Sequence, residues 1–481
     1  MKQTIHSIHR KNAAEKKPAW QKCMQLTFFL FLFAVLYSCA GAVDESYTNA
    51  IPADATMVAS VNVKELMAKA GYKDLAPVAK TVGSLYPEET MSFLPDVVDA
   101  VLSEPDKSGI DFDAPIYMFR QPDGVSFGIV MKLDKKEDAE AWVESTIGTP
   151  GSASVTFAYF DENSLCIYEK RGASVWQQPA TPEARFNQSV PFQKMKERKG
   201  DVRYYCNTRE LMKMYSIRAV SSLPPLYTET SIVGSCNFDK GEASVTAALV
   251  ANTPEAEAGL TDFKATFRPS EGKFIECLPE STVLLASVCG KGTGYYDYLS
   301  NMPYMGGMLM SDHRFWKNMF ELMDGEAVFA LTELSDYAFS FMVYADLAQD
   351  VTEEQVKKAL SRKGLQELYW GVQDHRFYLT NDKALGKNAF KEAPSSLRKS
   401  EYGKQSDGKP MYMLADFAKI MSNPALDQAM IQTGGKTPLQ MYALFAGMEC
   451  ELDGAYELVM RIGLKDKKEN ILKIAVDFFL N

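Results

Sequence analysis

The 481-residue sequence predicts an α+β fold built from two tandem copies of a domain that combines an antiparallel sheet with interspersed helices. Short apolar strand-like runs follow one another with tight turns between them, which is typical of hairpins. The whole series of elements also occurs twice in the same order, whereas a doubly wound parallel sheet would alternate each strand with a helix. We expect copy 1 over residues 50–268 and copy 2 over residues 274–478, with a hinge between Pro254 and Lys273.

The clearest repeat opens each copy. Residues 51–61, IPADATMVASV, align without gaps on residues 278–288, LPESTVLLASV, and each segment continues as a strand after its proline. The later strand-like runs recur in matched order: 116–119 and 125–133 with 327–331 and 337–347, 155–160 and 164–168 with 367–372 and 376–380, 203–206 with 410–413, and 231–238 and 243–250 with 441–452 and 456–464.

Helices are predicted at matched places between these strands. In copy 1, Ala139, Trp142 and Val143 share one face of a helix that follows the second strand run. In copy 2, Thr352 and Gln355 have the spacing of a capping box, in which each residue's side chain bonds the other's backbone N–H. The two helices are therefore expected to be equivalent.

The N-terminus has the organisation of an export signal. Six basic residues and one acid precede an apolar run of about a dozen residues, which is too short to span a membrane and fits a signal peptide. The run ends in LYSC at residues 36–39, which is similar to the lipobox of bacterial lipoproteins, although Tyr37 is larger than usual. We expect removal of residues 1–38, lipid attachment to Cys39 and a tether over residues 39–49.

An alternative processing route would give a different product. Cleavage after residues 40–42, an A-x-A site, would discard Cys39 and release a protein with no lipid. We favour lipidation, because a cysteine directly after an apolar signal segment seldom has a role apart from lipid attachment. The lipid on Cys39 would then be the contact with the membrane.

Composition disfavours several classes of function. Removal of residues 1–38 leaves 46 Lys plus Arg against 61 Asp plus Glu, and phosphate backbones repel such an acidic chain, so nucleic acid is disfavoured as a partner. The six cysteines after Cys39 are irregularly spaced and form no C-x-x-C pair, which disfavours a zinc site and a disulfide-built scaffold. We expect small buried apolar roles for them, with one or two disulfides left open.

Motifs that signal catalysis or metal binding are sparse. No Walker loop, dinucleotide fingerprint, HExxH pair or nucleophile elbow occurs, so no catalytic residue, metal ligand or cofactor is predicted. His313 and His375 both lie in a DHRF tetrapeptide, and we favour helix-surface and turn roles over metal binding. We interpret the methionine-rich segment 302–310 as apolar packing rather than a Cu(I) site, and the Gly-rich segment 290–294 as a strand-to-helix connection.

Two hypotheses about function follow. The first is a non-catalytic protein that binds or scaffolds an envelope protein or a glycan at the junction of the copies or on the loop of Trp176, since aromatic rings anchor partners and stack on sugars. The second is a hydrolase of glycans or peptides that uses carboxylates such as Asp111 and Asp113 and needs no histidine. We favour the first, because the chain has little conventional catalytic equipment.

The order of elements and the repeated openings at Ile51-Pro52 and Leu278-Pro279 resemble an uncharacterised, tandem-duplicated lipoprotein family of Bacteroides-type bacteria, known only as a domain of unknown function. The resemblance spans nearly the whole chain after the signal. It implies a lipid-anchored protein of the bacterial cell envelope, at the outer membrane, and it brings no established catalytic residues.

Overall fold

The strands of the molecule form one antiparallel sheet. The computed structural model describes residues 45–71, 107–122, 127–146, 155–160, 163–169, 181–215, 220–302, 309, 312–334, 339–361, 368–422, 445–453 and 456–480. Sixteen strands within these residues share the sheet, and each ladder between neighbours is antiparallel. An α+β fold with an antiparallel sheet, as the sequence predicted, is thus confirmed.

The strands divide into two sets of eight along the chain. The N-terminal half contains β1 (Met57–Val61), β2 (Ile116–Arg120), β3 (Phe127–Lys132), β4 (Val155–Phe160), β5 (Ser164–Glu169), β6 (Val202–Asn207), β7 (Thr230–Asp239) and β8 (Glu242–Ala251). The C-terminal half contains β9 (Leu284–Lys291), β10 (Met323–Leu334), β11 (Phe339–Leu347), β12 (Tyr369–Gln373), β13 (Arg376–Thr380), β14 (Met411–Ala415), β15 (Phe445–Leu452) and β16 (Leu458–Leu464).

Fourteen α-helices lie in the described part of the chain. In the N-terminal half they are α1 (Val63–Ala70), α2 (Lys136–Thr146), α3 (Val190–Glu197), α4 (Thr208–Tyr215), α5 (Pro225–Thr228) and α6 (Pro254–Thr266). In the C-terminal half they are α7 (Lys273–Glu276), α8 (Gly292–Asn301), α9 (His313–Glu321), α10 (Glu353–Leu360), α11 (Lys383–Lys387), α12 (Glu401–Gln405), α13 (Phe417–Ile420) and α14 (Ile471–Leu480). Short 3-10 helices occupy Ser46–Ala50, Pro182–Ala184, Phe186–Gln188, Val220–Ser222 and Leu397–Lys399.

Both halves have the same strand order. From the centre of the sheet outwards, the N-terminal half runs β8, β7, β6, β1, β2, β3, β5, β4, and the C-terminal half runs β16, β15, β14, β9, β10, β11, β13, β12. The halves meet where β8 pairs with β16, with Ala247 opposite Leu458. Residues Pro254–Thr266, where the sequence analysis expected a hinge, form α6 instead. The halves are therefore joined by a hydrogen-bonded ladder.

One face of the sheet, which we call the covered face, carries a buried aromatic core in each half. In the N-terminal half this core includes Tyr117 and Phe119, closed by Phe192 of α3. In the C-terminal half it includes Tyr344 and Tyr412, closed by other elements such as α7. Because successive residues of a strand point to opposite faces, the side chains between these belong to the other face.

The other face, which we call the cleft face, carries Ala59 and Val61 of β1 and the equivalent Ala286 and Val288 of β9. In the N-terminal half it is a closed core with α1, α2 and α14 packed on it. The predicted buried stripe Ala139, Trp142 and Val143 of α2 belongs to this core and is confirmed.

Two local predictions can be compared directly with the structure. The capping box of α10 is present, with the Thr352 hydroxyl accepting from the Gln355 backbone N–H and the Gln355 side chain accepting from the Thr352 N–H. The described helices include none that is both long and apolar enough to cross a membrane.

Candidate functional site

A long apolar cleft lies on the cleft face of the C-terminal half and has a volume of about 1310 Å³. Its floor extends over nine neighbouring strands, from β13 across the centre of the sheet to β7. Its walls come from α6, α8, α9 and α10. Both halves of the chain therefore contribute to one cleft.

The floor is made by alternate residues of consecutive strands. Ala286 pairs with Phe329 and Val288 pairs with Ala327 across the β9–β10 ladder, so all four side chains lie on the same face. Phe329 is 46 % exposed and Met413, on β14, is also 46 % exposed. Large apolar side chains this accessible on a sheet floor are characteristic of a binding surface when they lie next to one another.

Aromatic contacts fix α6 of the N-terminal half against α8 of the C-terminal half. The rings of Phe263 and Tyr298 meet edge to face with centroids 4.9 Å apart, and those of Phe267 and Tyr295 lie 5.4 Å apart. Such pairs add about 0.5–1.5 kcal/mol each beyond the burial of their area. Burial raises the pKa of the Tyr295 phenol well above its ordinary value, so this phenol stays uncharged.

The third wall, α9, is anchored at its N-terminus. The Asp312 carboxylate accepts from the Phe315 backbone N–H at 3.3 Å, which satisfies one of the free donors of the first turn. Phe315 and Met319 then face the cleft. The Tyr296 hydroxyl and His313 Nδ1 form a hydrogen bond between α8 and α9. His313 thus has a place on a helix, as predicted from its motif.

The chemistry of the cleft is uniform. Among its described lining residues none is charged, and the side chains with polar atoms are tyrosines and Ser287. The Ser287 side chain lies on the covered face, because it alternates with Ala286 and Val288, and its hydroxyl donates to the Tyr412 carbonyl oxygen at 3.3 Å. A ligand in this cleft would exchange water for apolar contacts and would make few hydrogen bonds.

The residues predicted for lipidation and for binding, Cys39 and Trp176, lie outside the residues that the structure describes. Asp374 and His375 occupy the tight turn between β12 and β13 with φ angles of 50° and 55°, which confirms the predicted turn. Lys291 ends β9 and Gly292 begins α8, so the Gly-rich segment is a strand-to-helix connection as predicted.

The two carboxylates considered for a hydrolase lie away from the cleft. Asp111 pairs with Lys132 at 3.0 Å and accepts from the Asp113 backbone N–H at 3.0 Å. Asp113, whose side chain is 70 % exposed, pairs with Lys64. Each carboxylate therefore stabilises local structure through a neighbouring lysine.

The cysteines that follow Cys39 are buried or half-buried, as expected from their apolar sequence surroundings. All six described cysteines are free thiols, and burial raises the pKa of Cys206 and of Cys236 to about 12, which keeps both protonated. Within the described ranges, no group of three or more His, Cys, Asp or Glu side chains is arranged to hold a metal ion. Met302, from the methionine-rich segment, lines the cleft and is 39 % exposed.

A buried polar cluster on the covered face was not predicted from the sequence. Glu451 is almost fully buried and pairs with Lys409 at 2.9 Å and Arg461 at 3.1 Å, while Tyr412 donates to Glu449. Burial raises the pKa of Glu449. These charges compensate one another across β14, β15 and β16, so we interpret the cluster as structural.

A contact surface at the junction of the copies was expected from the sequence, but the residues that line the cleft were not. They read as ordinary alternating strand residues, and it is the exposure of large apolar side chains such as Phe329 and Met413 that distinguishes the cleft from a closed core. How exposed a strand residue is depends on which other segments of the folded chain cover it, and the sequence does not show this. The one signal in the sequence was small side chains such as Ala327 and Ala345 where larger ones would fill the space.

Comparison with known proteins places the chain in a family. The family model for a domain of unknown function, DUF4836, matches residues 47–147 and 177–472, which include strands of both halves. No curated protein matches the chain, and no solved structure does. Because the matched residues cover most of the sequence, the protein belongs to the DUF4836 family of domains of unknown function.

Proposed function

We propose that the protein is an exported envelope lipoprotein that acts by binding, without catalysis, and that its ligand is an apolar molecule held in the cleft. The observation that carries this proposal is a cleft of about 1310 Å³ whose described lining contains no charged side chain. Ligand pockets are concave and mostly apolar, with a few polar groups that set orientation. The exposed floor at Phe329 and Met413 gives a ligand apolar area to cover.

Export and anchoring rest on the N-terminal sequence. The short apolar run before Cys39 supports a signal peptide, and a lipid on Cys39 would hold the protein at the outer membrane of a bacterial envelope. A tethered binding protein raises the local concentration of its ligand at the membrane. Mass spectrometry of the processed N-terminus tests this part, because a product that begins at Val43 would show that Cys39 is removed.

We also infer that the two halves arose by duplication of one domain, with residues 50–268 and 274–478 as the copies. Their identical strand orders and the gapless match of residues 51–61 with 278–288 support this inference. In this interpretation the cleft is a feature that one copy acquired and the other did not. The two copies would therefore differ in whether their cleft face binds a ligand.

The test of binding replaces two alanines that line the cleft with the larger residues that the N-terminal half has at the corresponding positions. By ladder register, Ala327 corresponds to Ile116 and Ala345 to Met131. The double variant Ala327→Ile with Ala345→Met is expected to weaken binding of the uncharged dye Nile red at least about tenfold, because it removes the space for the ligand. Dye fluorescence on the full-length protein measures the affinity.

A matched control adds apolar atoms elsewhere. Val190 is 63 % exposed on α3 of the N-terminal half, so Val190→Met enlarges an apolar side chain outside the cleft. This control is expected to bind Nile red as the wild type does. Unchanged affinity in the double variant, or equal loss in the control, would contradict the proposed site.

A further inference from the structure

We propose that the ligand of the cleft is a lipid that inserts one extended acyl chain along the floor; this inference rests on the proposed function and names its ligand class. The floor crosses nine neighbouring strands. At the usual strand spacing of about 4.8 Å, eight intervals give a length of about 38 Å measured along the sheet. The cleft is therefore long.

The cleft has room along this length for one extended hydrocarbon chain. An amphipathic helix of a partner protein is the alternative occupant of an apolar groove, and the helical peptide in the experiment below tests it.

The helices expected on this face are already in place. In the N-terminal half, α1, α2 and α14 close the cleft face. Their counterparts by position in the chain, α8, α10 and α6, are all present in the C-terminal half and form walls of the cleft. Because each of these three described helices has its counterpart, the space does not correspond to a missing one of them. Small floor residues such as Ala327 create it.

The side chains around the cleft suit a hydrocarbon. Methionines from three different elements line it, among them Met302, Met319 and Met411, and their flexible thioethers adapt to chains of varying shape. An acyl chain has no hydrogen-bonding groups to satisfy, which matches a described lining without charged side chains.

A cation lies beside one end of the floor. The Nζ atom of Lys264, on α6, lies 6.0 Å from the centre of the Tyr456 ring, and Tyr456 lines the cleft next to β16. Phe263 and Phe267 of the same helix also line the cleft. An acidic headgroup at this end would meet Lys264 while its chain extends over Met413 towards β13.

The experiment displaces Nile red from the full-length protein with hexadecanoate, octanoate, hexadecanol and an amphipathic helical peptide. Each buried methylene strengthens binding about fourfold, so hexadecanoate is expected to bind at least about 100-fold more tightly than octanoate. The peptide is expected not to compete. Equal potency of the two acids, or displacement by the peptide and not by hexadecanoate, would overturn the acyl-chain assignment.

The position of the lipid headgroup and the source of the lipid are tested with separate variants. Lys264→Met is expected to weaken hexadecanoate about tenfold and to leave hexadecanol unchanged, whereas Lys194→Met, the same change on distant α3, alters neither. Equal weakening of the binding of both ligands would refute the headgroup position.

The Cys39→Ala variant carries no lipid of its own and is expected to bind hexadecanoate as the wild type does. A gain in affinity above tenfold would show that the protein's own lipid occupies the cleft.

Failure of this inference is distinguishable from failure of the proposed function. If Nile red binds and the double variant Ala327→Ile with Ala345→Met weakens it, but hexadecanoate does not compete, the cleft binds a different apolar ligand and the acyl-chain inference falls alone. If the dye does not bind, or binds the double variant equally well, both fall. If the inference is right, we expect acyl lipids to be extracted from the purified wild-type protein, and a smaller amount from the double variant.

Discussion

The cleft face is a closed core in the N-terminal half, whereas in the C-terminal half a smaller buried cluster that includes Ala345, Leu347 and Phe377 lies beside an open cleft. Met118 of β2 is 5 % exposed, whereas Phe329, at the corresponding place in β10, is 46 % exposed. Both residues pair with the equivalent alanine of the preceding strand, Ala59 or Ala286. Backbone architecture is therefore shared, and side-chain volume together with the covering segments decides whether the face closes.

The covering helices are exchanged between the halves. Helix α14, which follows the last strand of the C-terminal half, contacts α1 of the N-terminal half, and its Ile471 and Leu472 belong to the closed core. Helix α6, which follows the last strand of the N-terminal half, contacts α8 of the C-terminal half. Each half thus depends on the other to complete this face, and neither is expected to fold as an independent unit.

The largest expected effect comes from opening the closed half. Met131 is 2 % exposed in the N-terminal core, and Met131→Ala installs the residue type that the C-terminal half carries at Ala345. We expect the free energy of unfolding to fall by about 3–4 kcal/mol, because a cavity replaces a buried side chain. Urea denaturation measures it. Met413→Ala, on the exposed floor, is the control and should cost under about 1 kcal/mol; equal losses would refute the contrast between the halves.

The covered faces of the two halves also differ, and we expect this difference to make the free energy of unfolding depend on pH. Glu326 of β10 is buried where the N-terminal half has Pro115. Burial, together with the nearby charge of Asp346, raises the pKa of Glu326 from 4.5 to about 7 against the opposing effects of a hydrogen bond from Ser270 and the charge of Lys273. Between these pH values the unfolded carboxyl releases a proton that the folded one retains. Stability is therefore expected to fall by roughly 2–3 kcal/mol as pH rises from 4.5 to 7.

Glu326→Gln tests this titration. The variant stays neutral at every pH, so it is expected to lose the pH dependence and to exceed the wild type in stability at pH 7.5 while matching it near pH 4.5. Chemical denaturation at the two pH values gives the comparison. A wild-type curve and a variant curve that remain parallel across this range would count against the assignment to Glu326.

A smaller effect of opposite sign is expected from closing the open half. Ala327→Ile places the Ile116 side chain of the N-terminal half into the cleft. Filling apolar space raises the free energy of unfolding by about 1 kcal/mol. Thermal unfolding in the absence of ligand should show a higher midpoint. A lower midpoint would mean that the cleft lacks the room we assign to it.

The smallest effects are expected at the two carboxylates of the hydrolase hypothesis. Asp113→Asn removes an exposed ion pair with Lys64 and should change stability by less than about 0.5 kcal/mol. Asp111→Asn removes the half-buried pair with Lys132 and should cost about 0.5–1 kcal/mol. Neither should alter Nile red binding. Turnover of a glycan or peptide by the wild type that is lost in these variants would instead promote the hydrolase.

One correspondence between the two halves could be assigned correctly only from the strand pairing in the structure. The sequence comparison matched residues 203–206 with 410–413, but Arg203 lies opposite Ser60 and Tyr412 lies opposite the equivalent Ser287. Arg203 therefore corresponds to Tyr412, two residues further along than the alignment placed it. The error preserved the faces, because side chains in a strand alternate with a period of two.

The sequence by itself determined the element types, their order, the turns and the repeat, because these depend on local patterns such as the Thr352 capping box and the turn at Asp374. Only the tertiary structure decided that the two halves share one sheet, that their last helices are exchanged, and that one face stays partly open. Those outcomes depend on which distant side chains meet and how much volume they fill: Met118 and Phe329 are apolar strand residues at corresponding places, and only packing distinguishes the middle of a core from the floor of a cleft.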